Sequence, residues 1–179
     1  GWHSIANLTE CNVFNNSIAG KSASSNASTR VALFGSGGGV FNQNARLGMV
    51  NCAIVSNSVI SEAVEPGFQV QGGGLLAEGE SSVVMMQGTR VERNTAGCTV
   101  PNVRCSAFGG GLNVFGGALH ALDCTIAANT ARAQGIAVPP LGQAEGGGLY
   151  LIPLLNSTVV TATRCNFAGN SAIGPAARG

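Results

Sequence analysis

The chain has 179 residues and a mass of 17.9 kDa, which is the size of one domain with a single hydrophobic core. Charged residues make up 9% of it, apolar residues make up 45%, and 27 residues are glycine, so disorder and a collagen repeat are both excluded. Nine basic and eight acidic residues give no basic surface for nucleic acid, and no apolar run reaches the ~18 residues of a membrane span.

Two short signatures recur along the chain and divide it into similar units. The first is a glycine triplet followed by an aliphatic residue, and the triplets begin 35 to 37 residues apart at Gly37, Gly72, Gly109 and Gly146. The second consists of an aliphatic or aromatic residue, two variable residues, Asn, Ser or Thr, and then a small or aliphatic residue. Its copies span residues 13–18, 54–59, 91–96, 126–131 and 167–172. Self-similarity at this period indicates a repeat architecture.

Between each triplet and the next Asn, apolar residues alternate with period two, which predicts strands with one buried face. The predicted inward positions are Leu47, Met49, Cys52 and Ile54, then Val84, Met86, Thr89 and Val91, then Leu119, Ala121, Cys124 and Ile126, then Val160, Ala162, Cys165 and Phe167. Gly48, Met85, His120 and Thr161 are expected to face outward. The alternation slips by one residue at the same place in every unit, so we expect a bend near Asn51, Gly88, Asp123 and Arg164.

Strands of this kind must stack on one another to bury a single apolar row, so the sequence predicts an all-β parallel β-helix of four to five coils. We expect one Asn of each unit to form a ladder of side-chain amides, as stacked Asn residues do in other parallel strands. The predicted ladder consists of Asn16, Asn57, Asn94, Asn129 and Asn170. Residues 1–179 are taken as a single β-helix segment.

Four segments between an Asn and the next triplet do not align with one another. They are residues 17–36, 58–71, 95–108 and 130–145, and we interpret them as insertions that leave the coil at one corner. Insertions on one face of a repeat protein often form its binding surface. A passive cover for the coil explains them equally well.

The units resemble the repeats of chlamydial polymorphic outer membrane proteins, in which a Gly-Gly-aliphatic element is paired with Phe-x-x-Asn. The matching residues are Gly-Gly-Gly-Leu at 72–75, 109–112 and 146–149, and Phe167-Ala168-Gly169-Asn170. Phe41-Asn42-Gln43-Asn44 also matches but lies outside the Asn column. The resemblance covers nearly the whole chain and implies a right-handed coil. It says little about activity, since β-helices include lyases, adhesins and inert stalks.

The six cysteines form two groups. Cys11, Cys52, Cys124 and Cys165 share one inward column with Thr89 and are interpreted as small apolar fillers. Cys98 and Cys105 lie in one insertion, where we predict a disulfide that stabilises the fold by about 2.5 kcal/mol. Zinc is disfavoured there, because no His or carboxylate is near and the spacing is not Cys-x-x-Cys.

Four Asn-x-Ser/Thr sequons are candidates for N-glycosylation. They are at Asn7, Asn15, Asn26 and Asn156, and Asn26 and Asn7 are expected to be the most accessible. Glycans on these residues could supply the solubility that charged side chains do not.

The residues needed for catalysis are scarce. Asp123 is the single Asp, so no stacked pair of aspartates can form, and Glu78 and Glu80 are interpreted as a solvated pair in a turn. His3 and His120 have no evident nucleophile or carboxylate partner, and Gly20-Lys21-Ser22 lacks the first glycine of a phosphate-binding loop. We therefore expect no catalytic residue, no metal and no cofactor.

These observations favour a non-catalytic structural or adhesive β-helix of an extracellular or cell-surface protein, such as a stalk, a filament or a passenger domain. The chain starts and stops inside the repeat pattern, so we expect a segment of a longer protein or a unit that stacks end to end. Its expected partners are further coils or end-to-end neighbours, with glycans or other surface proteins on the outer faces. The alternative is a carbohydrate-binding or polysaccharide-degrading β-helix whose active residues lie outside this stretch.

Overall fold

A computed structural model describes residues 4–20, 34–62, 68–99, 105–134, 143–153 and 158–178. In these residues the chain contains strands and no helix, and it forms a parallel β-solenoid of about four turns. Consequently, none of the described residues belongs to a helix that could span a membrane. The predicted all-β solenoid is confirmed.

Each coil contains up to five short strands. The first coil holds β1 (Ile5–Thr9), β2 (Asn12–Phe14), β3 (Ser17–Gly20), β4 (Phe34–Ser36) and β5 (Val40–Gln43). The second holds β6 (Arg46–Val50), β7 (Ala53–Val55), β8 (Ser58–Ser61), β9 (Phe68–Gln71) and β10 (Leu75–Glu78). The third holds β11 (Val83–Gln87), β12 (Arg90–Glu92), β13 (Thr95–Thr99), β14 (Cys105–Phe108) and β15 (Leu112–Phe115). The fourth holds β16 (Ala118–Leu122), β17 (Thr125–Ala127), β18 (Thr130–Gln134), β19 (Gln143–Glu145) and β20 (Leu149–Ile152). The last holds β21 (Val159–Thr163), β22 (Asn166–Ala168), β23 (Ser171–Ile173) and β24 (Ala176–Arg178).

Equivalent strands of successive coils pair in parallel and form five sheets. Sheet A contains β1, β6, β11, β16 and β21; sheet B contains β2, β7, β12, β17 and β22; sheet C contains β3, β8, β13, β18 and β23; sheet D contains β4, β9, β14, β19 and β24; sheet E contains β5, β10, β15 and β20. The register stacks like residue on like residue, so that Leu47 faces Val84, Val84 faces Leu119, and Leu119 faces Val160.

The solenoid has two separate cores. Sheets A, B and E, which we call the trunk, enclose a core of large aliphatic side chains, among them Met49, Ile54 and Leu112. Sheets C and D, which we call the arm, pack on each other through smaller side chains such as Ala96, Ala131 and Cys98. The chain therefore leaves the trunk after sheet B, runs out along sheet C, and returns along sheet D to sheet E.

The interpretation of four segments as insertions outside the coil is wrong for the two ends of each segment. The segments are residues 17–36, 58–71, 95–108 and 130–145. Those ends are the strands of sheets C and D, and they stack in register like the rest of the coil. The arm buries mostly alanine, so its strands lack the alternation of large aliphatic residues that reveals the trunk. The central parts, residues 21–33, 63–67, 100–104 and 135–142, lie outside the described residues.

The predicted bend between sheets A and B is confirmed. Asn51, Gly88, Asp123 and Arg164 all have a left-handed backbone, with φ between 51° and 58°, and Glu10 takes the same conformation in the first coil. A left-handed residue turns the chain and reverses the side-chain alternation. For this reason the inward phase slips by one residue between Met49 and Cys52.

The predicted inward residues are buried in the middle coils and less so at the two ends of the stack. Leu47, Val84 and Leu119 are at most 5% exposed, whereas Phe167 is 45% exposed. Phe167 is the register partner of Ile126, which is fully buried. Its exposure therefore reflects its place in the last coil of the described structure.

Candidate functional site

The Asn ladder runs through the junction between sheets B and C. The backbone N–H and the side-chain Nδ2 of Asn57 both donate to Oδ1 of Asn94, at 2.9 and 3.1 Å, and Asn94 donates in the same way to Asn129. The second hydrogen of Asn94 Nδ2 donates to the Ile54 carbonyl at 2.9 Å. Every hydrogen-bonding group of this buried amide is therefore satisfied, and the pattern extends to Asn16 at one end and Asn170 at the other.

Glycine triplets form a narrow neck where the chain returns from the arm to the trunk. A Cβ on Gly111 would lie 2.6 Å from the Gly148 carbonyl oxygen and 2.8 Å from Cγ of Asn129, a ladder residue. A Cβ on Gly110 would overlap backbone atoms of Thr130. Only residues without a side chain fit here, because the outgoing and returning strands lie in backbone contact. The triplets and the Asn ladder are thus two sides of one structural element.

The predicted disulfide between Cys98 and Cys105 is present. It joins β13 to β14, and therefore sheet C to sheet D, with the two Cα atoms 6.2 Å apart. Both residues are fully buried in the arm core. The bond closes the arm of the third coil by a covalent link between its two sheets.

The remaining described cysteines are more than apolar fillers. Cys11, Cys52, Cys124 and Cys165 each donate a weak S–H hydrogen bond to the carbonyl two residues earlier, at 3.2–3.4 Å. Thr89 Oγ1 makes the equivalent bond to the Gln87 carbonyl at 3.2 Å. Every residue of this column is therefore a small hydrogen-bond donor beside the bend, and the Thr among the cysteines was the sequence signal for it. Burial raises the pKa of the Cys124 thiol, which keeps it protonated as a donor.

A groove of about 450 Å³ crosses the outer face of sheet A. The predicted outward residues line it together with Asn7 and the next outward column. The lining includes Asn7, Gly48, Val50, Met85, Gln87, His120, Leu122, Thr161 and Thr163. This lining contains no Asp, Glu, Lys or Arg, so the groove offers amide, hydroxyl, imidazole and thioether groups between apolar ones.

His120 is anchored within this groove. Its Nδ1 lies 2.9 Å from Thr161 Oγ1, and Thr161 is its register partner on β21. On its other side the register partner is Met85, which is 48% exposed. The sequence showed no nucleophile or carboxylate beside His120, and the structure instead places a hydroxyl and a thioether there.

Asp123 and Arg164 form an ion pair at the corner between sheets A and B. Arg164 Nε donates to Asp123 Oδ1 at 2.6 Å, and an Nη of the same guanidinium donates to Oδ2 at 2.7 Å. The hydrogen bonds from Arg164 hold the pKa of Asp123 below its usual value and raise the pKa of Arg164. Asp123, which the sequence placed at the bend without a stacked carboxylate partner, therefore joins two coils there through Arg164.

The other predicted residues are dispersed. Asn7 points outward on β1, and Asn15 is exposed with a left-handed backbone. Asn26, Asn156, Lys21 and His3 lie outside the described residues. Glu78 is the last residue of β10 and accepts a hydrogen bond from Gln43 at 3.4 Å, so only Glu80 lies in the turn. In the part of the chain that the structure describes, no three His, Cys, Asp or Glu side chains are grouped as metal ligands would be.

Compared with known protein families, curated proteins and solved structures, the chain matches none of them. The parallel solenoid therefore rests on the structure itself. The likeness to the chlamydial repeats remains a resemblance of motifs.

Proposed function

We propose that this chain is a non-catalytic structural or adhesive β-helix segment of an extracellular or cell-surface protein, as a stalk, a filament or a passenger domain. The observation that carries the proposal is the Asn ladder together with the glycine neck. Every coil is joined to the next by the same backbone and amide hydrogen bonds. Uniform contacts between neighbouring coils make a solenoid an extended spacer whose outer faces stay in fixed positions.

The arm disulfide supports the proposed location. Disulfides persist mainly in oxidising environments, such as the cell surface and the extracellular space. Cys98 and Cys105 bridge two sheets of the fold, so the bond is part of the structure and not an exposed link between loops. The extracellular or surface location rests on this bond.

The polarity of the ladder supports the proposed partners, which are further coils of the same protein or end-to-end neighbours. Each Asn donates to the Asn of the following coil, so Oδ1 of Asn16 accepts no such bond in the first described coil. At the other end of the described stack, the backbone N–H of Asn170 has no ladder acceptor. These two ends are complementary, and an added coil would also cover Phe167 and Ala172.

Surface labelling of cells that produce the protein tests the location. Antibodies against the chain should stain intact cells as strongly as permeabilised ones. Staining that requires permeabilisation would contradict an extracellular or surface role.

Sedimentation of the 179-residue chain tests the end-to-end partners. We expect association that increases with concentration and that Phe167→Lys weakens, because a charge would be buried between stacked ends. Val50→Lys is the matched control, since Val50 is also partly exposed but points outward from sheet A. If the chain stays monomeric at all concentrations, neighbouring copies are not its partners, and further coils of the same protein are the remaining proposed partner.

A further inference from the structure

Met85 and His120 lie side by side on the outer face of sheet A. They are register partners on the adjacent parallel strands β11 and β16, and such strands are about 4.8 Å apart. Both side chains point outward, are exposed, and line the same groove. A thioether sulfur and an imidazole therefore share one space.

Thr161 prepares the imidazole for a ligand. A neutral imidazole carries one proton, so when Nδ1–H donates to Thr161 Oγ1, the lone pair is left on Nε2. Histidines that bind metals commonly donate their other ring N–H to a second group in this way, which orients the ring. Binding of a cation at Nε2 would select this tautomer.

The groove leaves room for a cation beside Met85. Gly48 is the register partner of Met85 on the side away from His120, and the Asn7 amide lies over it. A Cβ at this position would lie 2.6 Å from Oδ1 of Asn7. Met85 is 48% exposed and borders a groove of about 450 Å³, so its flexible side chain can turn away from Asn7 and bring its sulfur toward Nε2.

We propose that Met85 Sδ and His120 Nε2 form a binding site for a soft monovalent cation, Cu(I) or Ag(I). Thioether and imidazole ligands suit Cu(I), whereas magnesium and calcium prefer a set of oxygen ligands in which carboxylates usually take part. The described lining of the groove offers no carboxylate and no thiolate. The step is coordination alone, in which two neutral ligands displace water from the cation and no electron is transferred.

Silver is a suitable probe, because Ag(I) is stable in air and undergoes no redox change on binding. The chain is labelled with ¹³C at the Met methyls and with ¹⁵N in the His rings, and Ag(I) is added beyond the amount that the four free thiols take up. We expect the Met85 methyl and the His120 Nε2 signals to shift together along one saturating curve. The signals of Met49 and Met86 should stay in place, since both residues are buried. His3→Gln identifies the signals of the other histidine.

Two variants decide whether the ligands act together. Met85→Leu should weaken the silver affinity measured at His120 at least tenfold, and Thr161→Val should weaken it about 10- to 100-fold. Met86→Leu is the matched control, because it changes the neighbouring buried methionine and should leave the affinity unchanged. Both exposed-face variants should unfold at the temperature of the unaltered chain.

Three results would overturn the site. The first is the absence of a shift at Met85 and His120 when silver is saturating, and the second is a His120 shift that Met85→Leu does not change. The third is an equal Met85 shift with Zn²⁺, for which a thioether is a poor ligand. A parallel titration with Cu(I), kept reduced by ascorbate without oxygen, should reproduce the silver shifts.

Discussion

The trunk and the arm of this solenoid are built from the same coils but are held together differently. The trunk buries Met49, Ile54, Leu75, Leu112 and Ile126, whose side chains are large enough to fill the space between three sheets. The arm core holds mostly alanine, with two valines and the cystine. Burial of a large aliphatic side chain stabilises a fold by about 1.5–3 kcal/mol, and an alanine methyl contributes much less. The arm must therefore depend on something other than apolar volume.

Two features replace apolar volume in the arm. The neck holds the first residues of sheet C against the triplets that follow sheet D, with the Asn ladder between them. The cystine then joins the two sheets farther out. Consequently, changes at the neck should disturb trunk and arm together, whereas changes at the cystine should disturb the arm alone.

The largest loss of stability should come from Gly110→Ala. A methyl group there would overlap the backbone of Thr130, which cannot move without breaking the stacking of sheet C. We expect the free energy of unfolding to fall by more than about 4 kcal/mol. Urea unfolding followed by circular dichroism measures the loss.

Gly97→Ala is the control for this substitution. Gly97 also lies in a buried strand, yet the atom nearest to an added methyl group would be Thr95 Cγ2 at 3.7 Å, which is ordinary contact. We expect stability to be unchanged or up to about 1 kcal/mol higher, because alanine loses less backbone entropy on folding. Equal losses for the two variants would contradict the assigned role of the neck.

Asn94→Leu should have the second-largest effect. It removes the acceptor for the backbone and side-chain N–H groups of Asn57 and leaves the Ile54 carbonyl without its donor, all in a buried site. At about 1–3 kcal/mol for each unsatisfied group, the loss should reach roughly 3–5 kcal/mol, since the groups can relax in part. Hydrogen exchange should show that amides of both the trunk and the arm lose protection.

Asn113→Leu provides the matched comparison. Asn113 is equally buried, but among the described residues its Oδ1 has no hydrogen-bond partner, and its Nδ2 donates to Gln71 at 3.1 Å. Its register partner Leu76 shows that a leucine fits this column. We expect the free energy of unfolding to change by less than about 1 kcal/mol, and any change to be an increase. A loss as large as that of Asn94→Leu would show that burial alone, and not the ladder, sets the effect.

The difference between trunk and arm also explains what the sequence could predict. Period-two alternation of Leu, Met and Val identified the inward columns of sheets A and B, and the phase slip identified the bend at Asn51 and its equivalents. The spacing of Asn57, Asn94 and Asn129 predicted the ladder, because one residue type at one offset stacks on itself.

The arm could not be predicted in the same way. Its strands bury Ala96, Ala131 and Ala133, whose small side chains produce no alternation of large apolar residues in the sequence. The lengths between the strands also differ from coil to coil, which prevents alignment by eye. The groove on sheet A was missed for another reason, since it depends on which outward residues become neighbours across coils, such as Met85 and His120.

Loss of the disulfide should have the third-largest effect. Closing a ring of this size by a disulfide stabilises a fold by about 2.5 kcal/mol through the entropy of the unfolded chain. The double substitution Cys98→Ala and Cys105→Ala should reduce stability by about that amount, and hydrogen exchange should increase in β13 and β14 but not in β11 or β12. The substitution Cys52→Thr is the control, since Thr89 shows that threonine fits that column and makes the same hydrogen bond. If amides across the trunk also lost their protection from hydrogen exchange, the disulfide would not have the local role assigned to it.

The smallest effect should come from the ion pair between Asp123 and Arg164, which lies exposed on the trunk. Arg164 lowers the pKa of Asp123 in the folded protein from its usual 3.8, so the pair stabilises the fold above that value. Its contribution is lost as the pH falls through the lowered pKa, because the carboxylate becomes protonated and no longer attracts the guanidinium. The ¹³C signal of the Asp123 carboxyl should titrate at lower pH in the unaltered chain than in Arg164→Gln, and added salt should narrow the difference. A carboxyl that titrates alike in both chains would show that the pair has no energetic role, and the bend would then be held by its left-handed backbone and the packing beneath it.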